Sequence, residues 1–260
     1  MTEARWRTAI TDHVAHEPYL RGYRLVDLIG RYSFAEVAYL TLKGELPTPA
    51  AARMMDAMFV AVVDHGVAVP SVVADRMVIS GGNPLHVGVA AGVLTFGEAH
   101  GGAIETAARI LQATAAQEGD VAALARTRVA QARANKERLA GFGHRYYKER
   151  DPRTARMFEI AREVNFYGRH CALAEAMAAE LKAQTGRALV LNVDGAIAAI
   201  ISDMGFDWRL GKGFFIIGRV VGLVAHGFEE ITRERPFRRL GAQDTAYDGP
   251  PPRALPDAEV

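Results

Sequence analysis

The sequence predicts a mainly α-helical fold, and three observations carry that prediction. Apolar residues recur at helical spacing through most of the 260 residues, alanine is abundant, and helix-start signals punctuate the chain. Ser33 with Glu36 three residues later forms a capping-box pattern, closed by Gly44. Thr48 before Pro49 opens a helix over Ala50–Val63 that stops before Gly66, and Asn83-Pro84 repeats the device ahead of Leu85–Phe96. Helical patterns continue over Ala103–Gln117, Val121–Leu139, Pro152–Val164, Gly168–Lys182, Asp194–Met204 and Lys212–Ile231. Strand signals are scarce: only Ala188–Val193, apolar and partly β-branched, has one, and it also reads as an extended approach to Asp194. From Gly241 the chain carries Pro250, Pro251, Pro252 and Pro256, so residues 241–260 are expected to be a disordered tail or to lie along a partner.

Composition narrows the function. Half the residues are hydrophobic and 23% are charged, which is the balance of a folded chain rather than a disordered one. The 31 Lys and Arg nearly cancel the 30 Asp and Glu, leaving +1, whereas nucleic-acid binders usually carry a marked basic excess. The most apolar stretches are short or interrupted by Asn192, Asp194 and Arg219, and the first residues lack the apolar run of a secretion signal. No membrane association is therefore expected. The single cysteine, Cys171, can form neither an internal disulfide nor a Cys-rich metal site, and a reducing cytoplasm is the expected compartment. No His, Asp and Glu grouping has metal-ligand spacing, so no metal is expected.

Four segments hold chemistry that a plain helical scaffold does not need. Gly97-Glu98-Ala99-His100-Gly101-Gly102 places a histidine in a glycine-rich turn ahead of a helix, where backbone N–H groups favour an oxyanion; taken alone, it reads first as an ordinary helix–helix turn. Gly141-Phe142-Gly143-His144-Arg145-Tyr146-Tyr147-Lys148, running on to Asp151-Pro152-Arg153, sets a histidine and several cations around two glycines, and also reads as a solvated basic loop ahead of an N-cap. Asn192-Val193-Asp194-Gly195 puts a carboxylate at the start of an apolar helix, as an N-cap or, if partly buried, as a base of raised pKa. Arg219 lies within the apolar Phe214–Ala225 and needs an anionic partner or a route to water; Arg233, Arg235, Arg238 and Arg239 follow as a basic run.

Taken in order, these motifs resemble the citrate synthase superfamily: the His-Gly-Gly turn at His100, the Gly-x-Gly-His-Arg…Asp-Pro-Arg segment at Gly141–Arg153, Asn192–Asp194, Arg219, and Glu234-Arg235-Pro236. The resemblance spans Asp64 to about Leu240. Within the superfamily the chain is most similar to citryl-CoA lyases and the C-terminal cleavage domain of ATP-citrate lyase, because Gly195 and an apolar helix follow Asp194 and the chain is short. His100 departs from ATP-citrate lyase, whose turn usually lacks that histidine, and agrees with the synthases. No P-loop precedes the match.

The resemblance implies a helical fold with a large lobe (1–102 and 209–240) and a smaller closing lobe (103–208). It implies that Asp194 moves the α-proton of the thioester and that His100 hydrogen-bonds the thioester oxygen. His144 would act at the ketone or tertiary hydroxyl oxygen. Arg153, Arg219 and Arg235 would bind carboxylates, with His65 as a further substrate-binding group. Gly143, Arg145 and Lys148 would contact coenzyme A, which enters as part of the substrate; no tightly bound cofactor is implied. Arg235 would reach across a homodimer interface into a shared site. His86 and His226 are expected to be structural, and His13, His16 and His170 carry no motif. Three activities follow: citryl-CoA cleavage to acetyl-CoA and oxaloacetate; citrate or 2-methylcitrate synthesis with release of CoA; and, without turnover, a citrate or acyl-CoA sensor.

Overall fold

The protein is described here from a computed structural model, which covers residues 6–144, 147–186 and 189–255. Arg145, expected at the CoA phosphates, and Ala188 lie outside the described residues.

The fold is mainly helical, and the N-terminal segment adds a small sheet that the sequence does not announce. Strands β1 (Thr11–Val14), β2 (Glu17–Leu20) and β3 (Tyr23–Arg24) form an antiparallel meander in the order β1-β2-β3. Its register, Val14 opposite Glu17 and Leu20 opposite Tyr23, leaves two-residue turns at Ala15-His16 and Arg21-Gly22. All four turn residues have positive φ, the conformation that matches the strand twist. Only Gly22 announces that geometry in sequence, which is why the sheet is not legible there. Conversely, the strand signal at Ala188–Val193 is not realised: over the described part, Leu189–Val193, there is one isolated bridge, Leu191 with Phe142.

Helices α1 (Leu25–Leu28), α2 (Phe34–Lys43) and α3 (Pro49–Val62) follow. The Ser33–Glu36 capping box is complete and Gly44 closes α2 with φ 93°. Thr48 caps α3 through the N–H of Ala51. Helix α4 (Pro70–Ser80), with proline in its first turn, is absent from the sequence expectation. Asn83 does not cap α5 (Leu85–Leu94): its Nδ2 instead donates to Val78 O at 2.9 Å and closes the end of α4. Helices α6 (Ala103–Ala115), α7 (Val121–Ala134), α8 (Pro152–Glu163) and α9 (Arg169–Thr185) come next. The α7 pattern ends five residues earlier than the sequence suggests, where Lys136 adopts φ 52°. Helices α10 (Val193–Asp203) and α11 (Gly211–Arg233) complete the set.

Helix α10 is the axis of the core. Val193 and every residue from Gly195 to Ser202 are buried, which explains an apolar run with little amphipathic alternation. It packs against α6, α8 and α9, while α11 packs on α3, α4 and α5. The site lies where the N-terminus of α10 meets α11. Among the described residues no helix is long and apolar enough to cross a membrane. Residues 242–255 are exposed and irregular apart from one short turn of helix at Ala242–Asp244.

Candidate active site

A cavity of about 470 Å³ gathers His65, His100, Gly143, His144, Arg153, Asp194 and Arg219. Seven of the ten residues expected at the site therefore share one space, although they come from six separate stretches of chain.

Asp194 is set by its neighbours. Asn192, not Asp194, is the N-cap of α10: its side-chain oxygen accepts from Gly195 N at 3.1 Å and its Nδ2 donates to Gly143 O at 2.8 Å. The N-cap reading of Asp194 is thus corrected. Relieved of capping, its side chain lines the cavity from the second helical position. Burial raises its pKa to about 6, against the opposing charges of Arg153 and Arg219. Two facing glycines make this placement possible. Gly141 has φ 86°, and a Cβ there would stand 2.7 Å from Gly195 Cα; one on Gly195 would stand 2.6 Å from Gly141 O.

His144 leaves the same loop. Its Nδ1 lies 3.1 Å from Tyr147 N and its Nε2 lies 3.3 Å from Arg153 Nη2. An imidazole nitrogen and a guanidinium donor thus converge, an arrangement that a hydroxyl or carbonyl oxygen completes. Arg153 is itself oriented by buried Asp151, which accepts from Nε at 3.1 Å and Nη2 at 2.9 Å. Burial raises the Asp151 carboxyl, but hydrogen bonds from Arg153 and from the Val193 backbone hold it below the ordinary value. Asp151 therefore ties the start of α8 to the start of α10, beyond the capping role that its sequence position indicates.

His100 sits in the turn before α6, where Gly101 has φ 75° and packs against Phe215. Its Nε2 lies 2.9 Å from the hydroxyl of fully buried Ser71, at the start of α4. Burial lowers its pKa, helped by the charge of Arg219, so a neutral imidazole is held there. His65 and His144 are lowered likewise, by burial first. Arg219 is only 3% exposed; Nε donates to Val62 O at 2.8 Å, while Nη1 has no hydrogen-bond partner among the described residues. A buried guanidinium with an unused donor at a cavity wall is fit for a carboxylate.

Two expected residues lie elsewhere. Lys148 is exposed, with Nζ 3.4 Å from His144 O, and lines an adjacent cavity of about 610 Å³ with Gly143, Arg133 and Arg138. Arg235 follows α11, is exposed, and lines no cavity in its own chain among those described. Two residues at the site escape sequence reading. Ser71 belongs to the unforeseen α4, and Arg138, which lines both cavities, falls where a helix was expected to continue.

A family model for the citrate synthase C-terminal domain matches residues 47–240. The solved structure of citryl-CoA lyase from Hydrogenobacter thermophilus is 58% identical, covers 96% of this chain and 97% of its own, and superposes with a TM-score of 0.90. ATP citrate lyase from Methanothrix soehngenii, solved in complex with citrate and coenzyme A, is 26% identical over 96% of this chain and 43% of its own, with a TM-score of 0.82. Among curated proteins, the citrate synthase of Acidithiobacillus ferridurans is 31% identical over 220 residues, 79% of this chain and 55% of that one. The chain spans about half the length of the curated relatives it matches. With this fold, these motifs and a family match over most of its length, the chain belongs to the citrate synthase family.

Proposed function

We propose that this protein cleaves citryl-CoA to acetyl-CoA and oxaloacetate. The observation that carries the reading is the convergence of one carboxyl group of raised pKa, two neutral imidazoles and two arginines on a single cavity; the likeness to a citryl-CoA lyase over nearly both full chains supports it.

The chemistry follows from where protons and charge must go. Arg153 and Arg219 take substrate carboxylates, with His65 at the cavity wall as a further contact. His144 Nε2 takes the proton of the tertiary hydroxyl, and Arg153 Nη2 steadies the alkoxide, whose electron pair forms the ketone of oxaloacetate as the carbon–carbon bond breaks. The departing fragment is the enolate of a thioester. Ser71 donates to Nε2 of His100, which leaves its Nδ1–H for the enolate oxygen. Asp194, in its acid form, then protonates the carbon and completes acetyl-CoA. In the synthetic direction the carboxylate form removes that proton. Coenzyme A extends past Gly143 toward Lys148, with Arg145 beside them in sequence; no bound cofactor enters the scheme.

The same groups serve condensation of an acyl-CoA with oxaloacetate, and the Ser71–His100 pair, on a histidine shared with the synthases, favours citrate or 2-methylcitrate synthase as the second reading. The two differ in whether the thioester is hydrolysed.

The working unit is a homodimer with shared sites. Arg235 lies away from its own cavity, and α4 and α11 expose Val73, Met77, Val221, Val224, Phe228 and Ile231, an apolar surface that a second copy would cover. Residues 103–208 form the smaller lobe, supported by the packing of α6, α7, α9 and α10 among themselves, and close over the substrate to exclude water. Residues 6–102 and 209–240 form the other lobe, and 241–255 lie along the partner; residues 1–5 and 256–260 of these two expected spans, Pro256 included, fall outside the described residues. The compartment is the cytoplasm, consistent with a lone buried cysteine.

Purified protein given citryl-CoA is expected to release oxaloacetate, measured by coupled reduction. The Asp194→Asn variant is expected to be at least about 10²-fold slower, the lower range for a general acid–base group. Undiminished turnover in that variant would remove Asp194 from the scheme, and none in the wild type would remove the scheme.

A further inference from the structure

We infer that His226, two helical turns beyond Arg219, is a positioning residue that holds the substrate-facing His65 in place by clamping the turn that carries it. This rests on the reading of the cavity as the citryl-CoA site.

His65 belongs to the turn that leaves α3, and three residues on one face of α11 grip that turn. Arg219, Gly222 and His226 are spaced i, i+3 and i+7, so they lie on one line along the helix. Arg219 Nε donates to Val62 O at 2.8 Å. At Gly222 a Cβ would stand 2.4 Å from Val63 O and 3.1 Å from Asp64 Oδ1, so the absence of a side chain is what lets the helix press against the turn. His226 Nε2 lies 3.0 Å from Asp64 Oδ1, and the other carboxylate oxygen of Asp64 accepts from Gly66 N at 2.9 Å. The grip therefore runs through three successive residues, Val62, Val63 and Asp64, and the carboxylate then folds the chain around His65. The ring of His65 stands edge-on to that of His144 at 5.9 Å between centroids, so a shift of the turn displaces it from the reacting centre.

The side chain of His226 is 13% exposed, whereas its partner Asp64 is 41% exposed. An aspartate that open to water finds hydration at little cost, so its engagement by a mostly buried imidazole is unnecessary for its own solvation. What the contact does is fix the backbone. His226 lines none of the three cavities described, so its route to the substrate runs through the turn.

The test compares His226→Ala with His226→Gln, whose amide can donate to Asp64 from a similar reach. His226→Ala is expected to raise KM for citryl-CoA about tenfold with kcat changed less than about threefold. His226→Gln is expected to restore KM to within about twofold. In parallel, hydrogen–deuterium exchange across residues 62–66 is expected to accelerate in His226→Ala and to return toward wild type in His226→Gln. An unchanged KM and unchanged exchange in His226→Ala, or two variants impaired alike, would overturn the clamp. If the wild-type protein does not turn over citryl-CoA, the functional reading fails on that control, and the exchange arm alone decides whether the clamp exists.

Discussion

Asp194 lies at a wall where burial opposes its charge and two arginines favour it, and burial wins. A carboxyl group titrating near pH 6 has a directional consequence. Cleavage uses the acid form to protonate carbon, so its kcat is expected to fall as pH rises through about 6. Synthesis uses the carboxylate, so its kcat is expected to rise through the same range. Parallel pH–rate profiles in the two directions check this; matching slopes would contradict it. At this scale the sequence was informative wherever a reactive side chain stands in a glycine-rich turn, as His100 and His144 do, because such turns have few packing reasons to hold histidine. It was uninformative for Ser71 and Arg138, since a serine in a first helical turn and an arginine after a helix are ordinary surface chemistry. Only the fold brings Ser71 under His100.

Helix starts were legible because caps are local: Ser33, Thr48 and Asp151 all cap as their spacing predicts. The β-meander was not, because Ala15, His16 and Arg21 take positive φ without the Asn or Gly that usually signals it. The Gly141–Gly195 contact joins two elements 54 positions apart, and nothing local announces it. Gly141→Ala is expected to lower stability by about 1–3 kcal/mol, combining strain at positive φ with a clash on α10, and a urea titration measures it. A second element-scale prediction concerns the junction of α4, α5 and α11. There Asp75 is fully buried, neither carboxyl oxygen has a hydrogen-bond partner among the described residues, and burial pushes its pKa up to about 6. The folded state therefore favours the protonated group. Its contribution is fully present below the unfolded value near 4 and is lost as pH rises through about 6. Asp75→Asn is expected to gain about 1–3 kcal/mol at pH 8 and almost nothing at pH 4, read from unfolding at both values. An equal gain at both would show that the carboxyl group does not ionise in the fold.

For the whole molecule, near-zero net charge conceals a site that is locally basic, with Arg153 and Arg219 on one cavity and Arg133, Arg138 and Lys148 on the next. The balanced total excluded a polyanion-coated surface and still permitted a pocket for one anionic thioester. The order of the four motifs made the helical architecture and the family legible, whereas the assembly depends on surfaces that sequence patterns encode only weakly. Light scattering is expected to return twice the 28.2 kDa chain mass. A monomer with full activity would contradict a shared site, and Arg235→Ala in a dimer is expected to raise KM by about tenfold or more, as loss of a charge-assisted contact does. The most direct test of the central claim is the product balance from citryl-CoA. The proposed cleavage predicts one acetyl-CoA and one oxaloacetate per citryl-CoA consumed, with no free CoA. Citrate and free CoA in their place would contradict it.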